Sequence, residues 1–281
     1  MNKKHFTHLH LHTLYSFFSG TIKMEDLFKR VNELEMKKIA ITDHGNMHGT
    51  AEFYILAKKY NVKPIVGIEL YIINEQEEEN IEKDHLILLA ENKKGYENLL
   101  KLLSFIHVYE RKFETHIFSE TLKQFKDGIV ALSACLKGEV AKYCVRNKIE
   151  KASKAIEKYK EIFGKNNFFL EIQLNNTPIQ NKVNKDFKTL SKKYEIKIVC
   201  TNNCHYLLKD DYNAQRMLKN MKKRNRIIEN REEINIPDSE LYVKSEEEIK
   251  ILTDPEYNEA FENTCELGER CNIDIQVGRD S

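Results

Sequence analysis

No stretch of the chain approaches 18 consecutive apolar residues, so the sequence excludes an ordinary membrane-spanning helix. Neither sign of charge is in excess: 45 Lys and Arg stand against 44 Asp and Glu, and overall charge argues neither for nor against a polyanionic partner. Tryptophan is absent and only four prolines occur, beside heavy use of Lys, Asn, Ile and Glu; this is a pattern of AT-rich coding and excludes no function. The opening residues, MNKKHFTHLHLHT, lack the apolar run and small-residue cleavage site of a secretory signal. Six cysteines in 281 residues do not make a disulfide framework, so a reducing cytoplasm is expected. Cys200 and Cys204 have no second pair at zinc-finger spacing, and there is neither a Walker-type phosphate loop nor a G-x-G-x-x-G.

What is present is alternation. Residues 38–42 (KIAIT), 64–73 (PIVGIELYII), 85–90 (HLILLA), 128–132 (GIVAL), 167–173 (NFFLEIQ) and 197–201 (KIVCT) read as short buried strands. Between them, residues 23–35, 50–60, 94–107, 138–147, 150–163 and 178–194 carry apolar side chains at helical spacing. Strand and helix alternating in this way predict an α/β layer or barrel with parallel strands. Residues 74–84 are strongly acidic and read as a solvated loop. Residues 216–226 (RMLKNMKKRNR) are basic, and read either as a solvated helix face or as a nucleic-acid contact. Ser245 and Glu248 have the spacing of a capping box, which predicts a helix start.

The chemistry is carried by histidines. His8, His10 and His12 alternate, which in a strand would place three imidazoles on one face, a poor core but a good half of a metal site. Further metal-capable residues recur beside the strands: Asp43 and His44 after 38–42, Glu69 within 64–73, His85 opening 85–90, Cys135 after 128–132 and His205 after 197–201. Asp43, His44, Glu69, Cys135 and His205 fall at or near strand C-terminal ends, where parallel α/β folds place their sites. Imidazole, carboxylate and a thiolate suit Zn²⁺, Mn²⁺ or Fe better than Mg²⁺ or Ca²⁺. A carboxylate such as Glu69 could bridge two cations, an arrangement suited to in-line displacement at phosphorus. The predicted chemistry is phosphate mono- or diester hydrolysis, with Asp43, His44 and Glu69 as the catalytic candidates. His5, His48, His107 and His116 have no cluster and are read as structural or surface residues.

These motifs resemble the polymerase and histidinol phosphatase (PHP) family, and within it the branch that opens bacterial replicative DNA polymerase III alpha subunits. Residues 6–20, 34–53, 63–71, 85–103, 128–139, 169–173, 201–206, 240–245 and 263–272 match in order, covering nearly the whole chain. The resemblance implies a distorted seven-stranded, TIM-like β/α barrel over residues 1–208, with a helical extension over 209–281 leading toward polymerase parts. It implies a cluster of His10, His12, His44, Glu69, His85, Cys135 and His205 holding one to three divalent cations, Zn or Mn first, with His8 outside it. Ser19 and Asn203 depart from the family, which usually has Asp at both places; both changes remove an anionic ligand. The implied partners are DNA, the remaining polymerase parts and a proofreading exonuclease subunit, without a membrane. No second group of Asp residues suited to polymerisation is seen, so this stretch alone is not expected to polymerise DNA. Two other classes stay open: a stand-alone phosphoesterase, and a non-catalytic scaffold keeping the barrel and a structural zinc.

Overall fold

A computed structural model describes residues 5–73, 83–109, 116–225 and 238–276. In chain order the elements are α1 (Met24–Glu33), β1 (Lys38–Ile41), α2 (Thr50–Lys59), β2 (Lys63–Ile73), β3 (Asp84–Ala90), α3 (Lys93–Tyr109), β4 (His116–Phe118), β5 (Ile129–Leu132), α4 (Glu139–Val145), α5 (Ile149–Phe163), β6 (Phe168–Gln173), α6 (Pro178–Tyr194), β7 (Ile198–Thr201), α7 (Tyr212–Asn225), α8 (Glu246–Leu252) and α9 (Asn258–Arg270). The alternation read from the sequence is this alternation. Helix starts follow local chemistry. Thr177 accepts from the Gln180 N–H with Pro178 at the first helical position of α6, and Ser245 and Glu248 form the reciprocal capping box at α8.

The seven strands form one sheet in the order β1-β2-β3-β5-β6-β7, with β4 pairing β2. The expectation of uniformly parallel strands fails at β3, which runs antiparallel to both β2 and β5. An apolar run such as HLILLA buries equally well in either direction, so direction is not written in it. The reversal has a functional result. His85 opens β3, yet Tyr71 near the end of β2 is its partner in register, so His85 reaches the rim where the parallel strands end.

The segment carrying His8–Thr13 fills the gap between β1 and the chain after β7. Ala40 and Thr42 donate backbone N–H groups to the His8 and Leu11 carbonyls; His12 donates to Cys204, and Cys204 to His10. The sheet is thereby completed into a barrel wall. This segment holds isolated bridges at Leu11 and Thr13 rather than a regular strand, so the predicted strict alternation of His8, His10 and His12 does not hold.

Two apolar layers result. Outside the sheet, Ile39, Val66, Leu70, Leu88 and Ile172 pack with Leu27, Phe28, Phe53, Leu102, Ile156 and Phe187 of the helices. Inside it, Leu9, Ala40, Ile65, Ile87, Leu89, Val130, Leu132, Phe169 and Val199 meet Leu267 and Cys271, so α9 and the residue after it plug one end of the barrel. Each fully buried Leu or Ile contributes about 1.5–3 kcal/mol. At the other end the same inward-facing register changes from apolar to polar. Along β2 it runs Ile65, Gly67, Glu69, Tyr71, and along β6 Phe169, Glu171, Gln173. The acidic stretch at 74–84 lies, but for its last two residues, outside the described residues, as does Arg226 of the basic stretch. No helix among the described residues is long and apolar enough to cross a membrane.

Candidate metal centre

The turn after β1 is folded against β2: Glu69 N–H donates to the Asp43 carbonyl at 3.1 Å and Gly45 N–H to the Glu69 carbonyl at 2.8 Å. Gly45 takes φ 64°, a left-handed conformation that costs glycine little. His44 is thus fixed beside Glu69. From the wall come His10 and His12, from the start of β3 His85, and from the loop after β7 His205.

These side chains converge. Glu69 Oε2 lies 2.8 Å from His44 Nδ1, 3.1 Å from His12 Nε2 and 3.7 Å from His10 Nε2, and Glu69 Oε1 lies 2.5 Å from His85 Nδ1. The His12 ring stacks between those of His44 and His205, with centroids 4.1 and 4.3 Å away. Among the described residues three groups have ligand atoms mutually within 4.8 Å: His12/His44/His205, His10/His12/Glu69 and His44/Glu69/His85. Glu69, His12 and His44 each belong to two of them. Cys135 lies alongside, its Sγ 3.8 Å from His85 Nδ1, and enters none of the three. Burial pushes its thiol up to about 12, with Glu69 adding to the effect.

Hydrogen bonds around the cluster fix which nitrogens are donors. Glu171 Oε1 can only accept, so His10 Nδ1–H donates to it at 2.7 Å and His10 Nε2 faces the cluster. Ser16 Oγ–H is committed to Asp43 Oδ1 at 2.6 Å, so His12 Nδ1–H donates to Ser16 at 3.1 Å and His12 Nε2 also faces the cluster. The two Nε2 atoms are 3.0 Å apart beside a carboxylate oxygen that no hydrogen bond reaches at acceptable angle. Lone pairs facing one another across a buried carboxylate need a positive charge between them. Without a metal that charge is a proton: burial alone would lower His10, but Glu171 and Glu69 outweigh it and hold its pKa up at about 10. Burial, then the neighbouring His44, keeps His12 down at about 4, and burial holds His205 well below the usual imidazole range. Burial opposes ionisation of Glu69, but the His85 and His44 imidazoles outweigh it and keep the carboxyl well below its usual range. The Nε2 atoms of His10 and His12, oriented by second hydrogen bonds beside an ionised carboxylate, would with the His10 proton displaced form a donor set that fits a divalent cation.

Placement of the expected residues is uneven. His10, His12, His44, Glu69, His85 and His205 are brought together. His8 points elsewhere, with Nε2 2.9 Å from the Lys244 carbonyl and Nδ1 3.4 Å from Cys204 Sγ. Asp43 does not reach the cluster: its oxygens accept from Thr13 N–H at 2.6 Å, Thr13 Oγ1 at 2.7 Å and Ser16, so it shapes the loop that orients His12. Ser19 Oγ sits 3.1 Å from His205 Nδ1 and 3.4 Å from His44 Nε2, and Asn203 lines the same cleft with its Oδ1 buried and unbonded.

Glu171 was not singled out by the sequence reading. It also accepts from Thr201 Oγ1 at 2.6 Å and Gln173 at 3.1 Å. Its signal was there: a carboxylate two residues from Phe169, on the inward parity of an otherwise apolar strand. Glu171→Gln should weaken metal binding about 10–100-fold by loosening His10. Chelator competition measures this, and unchanged affinity would remove Glu171 from the site.

A family model described as "PHP domain" matches residues 8–175. The chain is 35% identical over 288 residues to the DNA polymerase III subunit alpha of Thermus aquaticus, covering 99% of this chain and 23% of that one. To the corresponding subunit of Helicobacter pylori (strain ATCC 700392 / 26695) it is 36% identical over 291 residues, covering 99% and 24%. The chain thus spans about a quarter of the length of these relatives. Among solved structures, an amidohydrolase from Chromobacterium violaceum with bound sulfate gives a TM-score of 0.46 at 12% identity, covering 71% of this chain and 87% of that one.

Proposed function

From the premise that this chain belongs to the PHP family, we propose that it is the metal-binding phosphoesterase-type part of a bacterial replicative DNA polymerase alpha subunit. One observation carries the chemistry: Glu69, ionised and buried, is shared between two ligand groups, and His10 and His12 hold their Nε2 atoms toward it. His10, His12, His44, Glu69, His85 and His205 would hold one or more divalent cations, Zn²⁺ or Mn²⁺ by ligand type. When bound, such cations supply Lewis acidity toward a phosphoryl oxygen and lower the pKa of water to near neutrality. The chain's own contribution is orientation. Glu171 and Ser16 lock the His10 and His12 tautomers, and Asp43 locks Ser16. His44 and His205 line the cleft while His12 lies buried between them, so a phosphate ester would approach on the side that His44 and His205 share.

Ser19 and Asn203 favour a second reading, in which the cation is structural and the barrel serves as a scaffold for DNA, the remaining polymerase parts or a proofreading exonuclease in the cytoplasm. One experiment separates them. The purified chain is loaded with Zn²⁺ or Mn²⁺, dialysed, analysed for metal, and given 3′-labelled single-stranded DNA. Retention of at least one cation per chain with EDTA-sensitive release of nucleotides supports the first reading. Metal without hydrolysis supports the scaffold, and failure to retain any cation sinks both metal readings. A bound cation at about 100 times its dissociation constant should also stabilise the fold by about 2.7 kcal/mol, read as a raised Tm.

A further inference from the structure

Two asparagines in succession follow β7. The first is fully engaged: Asn202 Nδ2 donates to the Tyr242 carbonyl at 2.7 Å and the Glu240 carbonyl at 3.2 Å, and its Oδ1 accepts from Lys244 Nζ at 3.4 Å. The second, Asn203, lines the cleft with His205 and is only 8% exposed, yet its side chain makes no hydrogen bond with any described residue. Of its two polar atoms only Oδ1 is both sealed from solvent and unpaired, so the NH₂ is the end that meets the opening. The backbone around it is fixed. Cys204 N–H donates to the His10 carbonyl at 3.0 Å, and His205 N–H to the Leu241 carbonyl at 2.8 Å. Asn203 takes φ 50°, which asparagine tolerates better than most residues. Glycine would reach that conformation with less strain and would leave no buried acceptor unpaired. The conformation by itself therefore does not call for this amide.

The neighbouring donors already have partners. Ser19 Oγ lies against His205 Nδ1 and His44 Nε2, and Gln173 Nε2 donates to Glu171 at 3.1 Å. α7 closes over the Ser19 side, where Gln215 donates to the Ser19 carbonyl at 3.3 Å and Lys219 reaches the cleft. Among the described residues Glu69 is the carboxylate that lines the cleft, and both ligand groups that contain it leave out His205. The group that includes His205 is imidazole throughout. A cation held there would meet no carboxylate of the group, so the balancing negative charge comes with the ligand. An amide NH₂ can only donate, and it complements an anionic oxygen rather than a cation.

We infer that the Asn203 amide donates to a phosphoryl oxygen of the ligand entering the cleft and seats that oxygen on the His205 side. The inference rests on the phosphoester reading of the same site, but its test is binding and needs no turnover. The parent chain, Asn203→Gly, Asn203→Asp and, as control, Asn61→Gly are compared at saturating Mn²⁺. Glycine keeps the left-handed backbone and removes the amide, and aspartate keeps the shape and replaces the donor by an anion. Asn61 is exposed, takes φ 54° and precedes β2 at the end of the barrel away from the cleft. Binding of fluorescein-labelled oligothymidylate is read by anisotropy and binding of inorganic phosphate by calorimetry; Mn²⁺ affinity is read separately against a chelator. Asn203→Gly should weaken phosphoryl binding about tenfold. Asn203→Asp should weaken it further by like-charge repulsion while tightening Mn²⁺, so any gain in hydrolysis at limiting metal is read at saturating ester. The control should change neither. Loss for both probes, or for one, supports the inference, and the probe that loses tells whether the seat serves a diester or a free phosphate. Affinities of Asn203→Gly equal to the parent for both probes overturn it, whether or not Mn²⁺ affinity falls, as does a parent that binds neither probe. If the parent binds but hydrolyses nothing, the phosphoesterase reading fails and the seat stands.

Discussion

Glu69→Gln is expected to reduce any EDTA-sensitive hydrolysis by at least about 100-fold and to lower cation occupancy in parallel. The carboxylate belongs to two of the three ligand groups and is the one anionic member of each. Glutamine keeps the shape but contributes no charge, and one of its two oxygen positions becomes an NH₂ that cannot ligate. A Lewis-acid contribution of several kcal/mol depends on a cation being held there, and about 2.7 kcal/mol is already a factor of 100 in rate. The metal-free protein should suffer too. His10 owes its raised pKa partly to Glu69, so the substitution leaves less compensation for a buried imidazolium. Elemental analysis, hydrolysis rate and the melting temperature without metal are the three readouts. A variant that keeps full metal content and full activity would sink the assignment of Glu69 as the shared ligand.

The second large effect runs in the opposite direction. Ser19→Asp combined with Asn203→Asp should tighten cation binding about tenfold per carboxylate and raise hydrolysis at limiting metal. Ser19 already places its Oγ within 3.1 Å of His205 Nδ1 and 3.4 Å of His44 Nε2, two members of an all-imidazole group. An anionic oxygen there would neutralise charge where three imidazoles alone would meet a divalent ion. The gain is limited by desolvation of the new carboxylates. At an effective dielectric of about 20, Coulomb attraction at 4 Å is about 4 kcal/mol per pair of unit charges, and burial cancels a good part of it. Titration against a calibrated chelator, alongside hydrolysis at sub-saturating Mn²⁺, gives the answer. If affinity and rate are both unmoved, the two neutral residues are not what limits the site.

Much of this was legible in the residues. Apolar runs of four to ten residues between amphipathic stretches place six of the seven strands, because burial on both faces leaves an uninterrupted run. The short β4 at His116–Phe118 has no such run and was not foreseen. The direction of β3 was invisible for the same reason that its existence was plain. His85 therefore looked like a residue at the wrong end of its strand, whereas the reversal puts it at the correct rim. Asp43 was misjudged by adjacency: its neighbour His44 turns inward, and it turns toward Thr13 and Ser16. Lys219 could not be connected to the site from sequence, since only packing brings α7 back over Ser19. His12 and Glu69 were singled out because histidines alternate over residues 8–12 and a carboxylate falls near the C-terminal end of an otherwise apolar strand.

The way the barrel wall is completed has a kinetic side. His10 and His12 belong to the extended segment hydrogen-bonded to Cys204, while His205 follows on the opposing stretch. Residues nearly two hundred positions apart must meet before that contact exists, which makes it a high-contact-order step and a slow one. An ion coordinated by His12 and His205 would then act as a latch across the joint. Opening of the wall and release of the ion would be a single equilibrium, and each bound ion would slow the fraying of the last stave to dock.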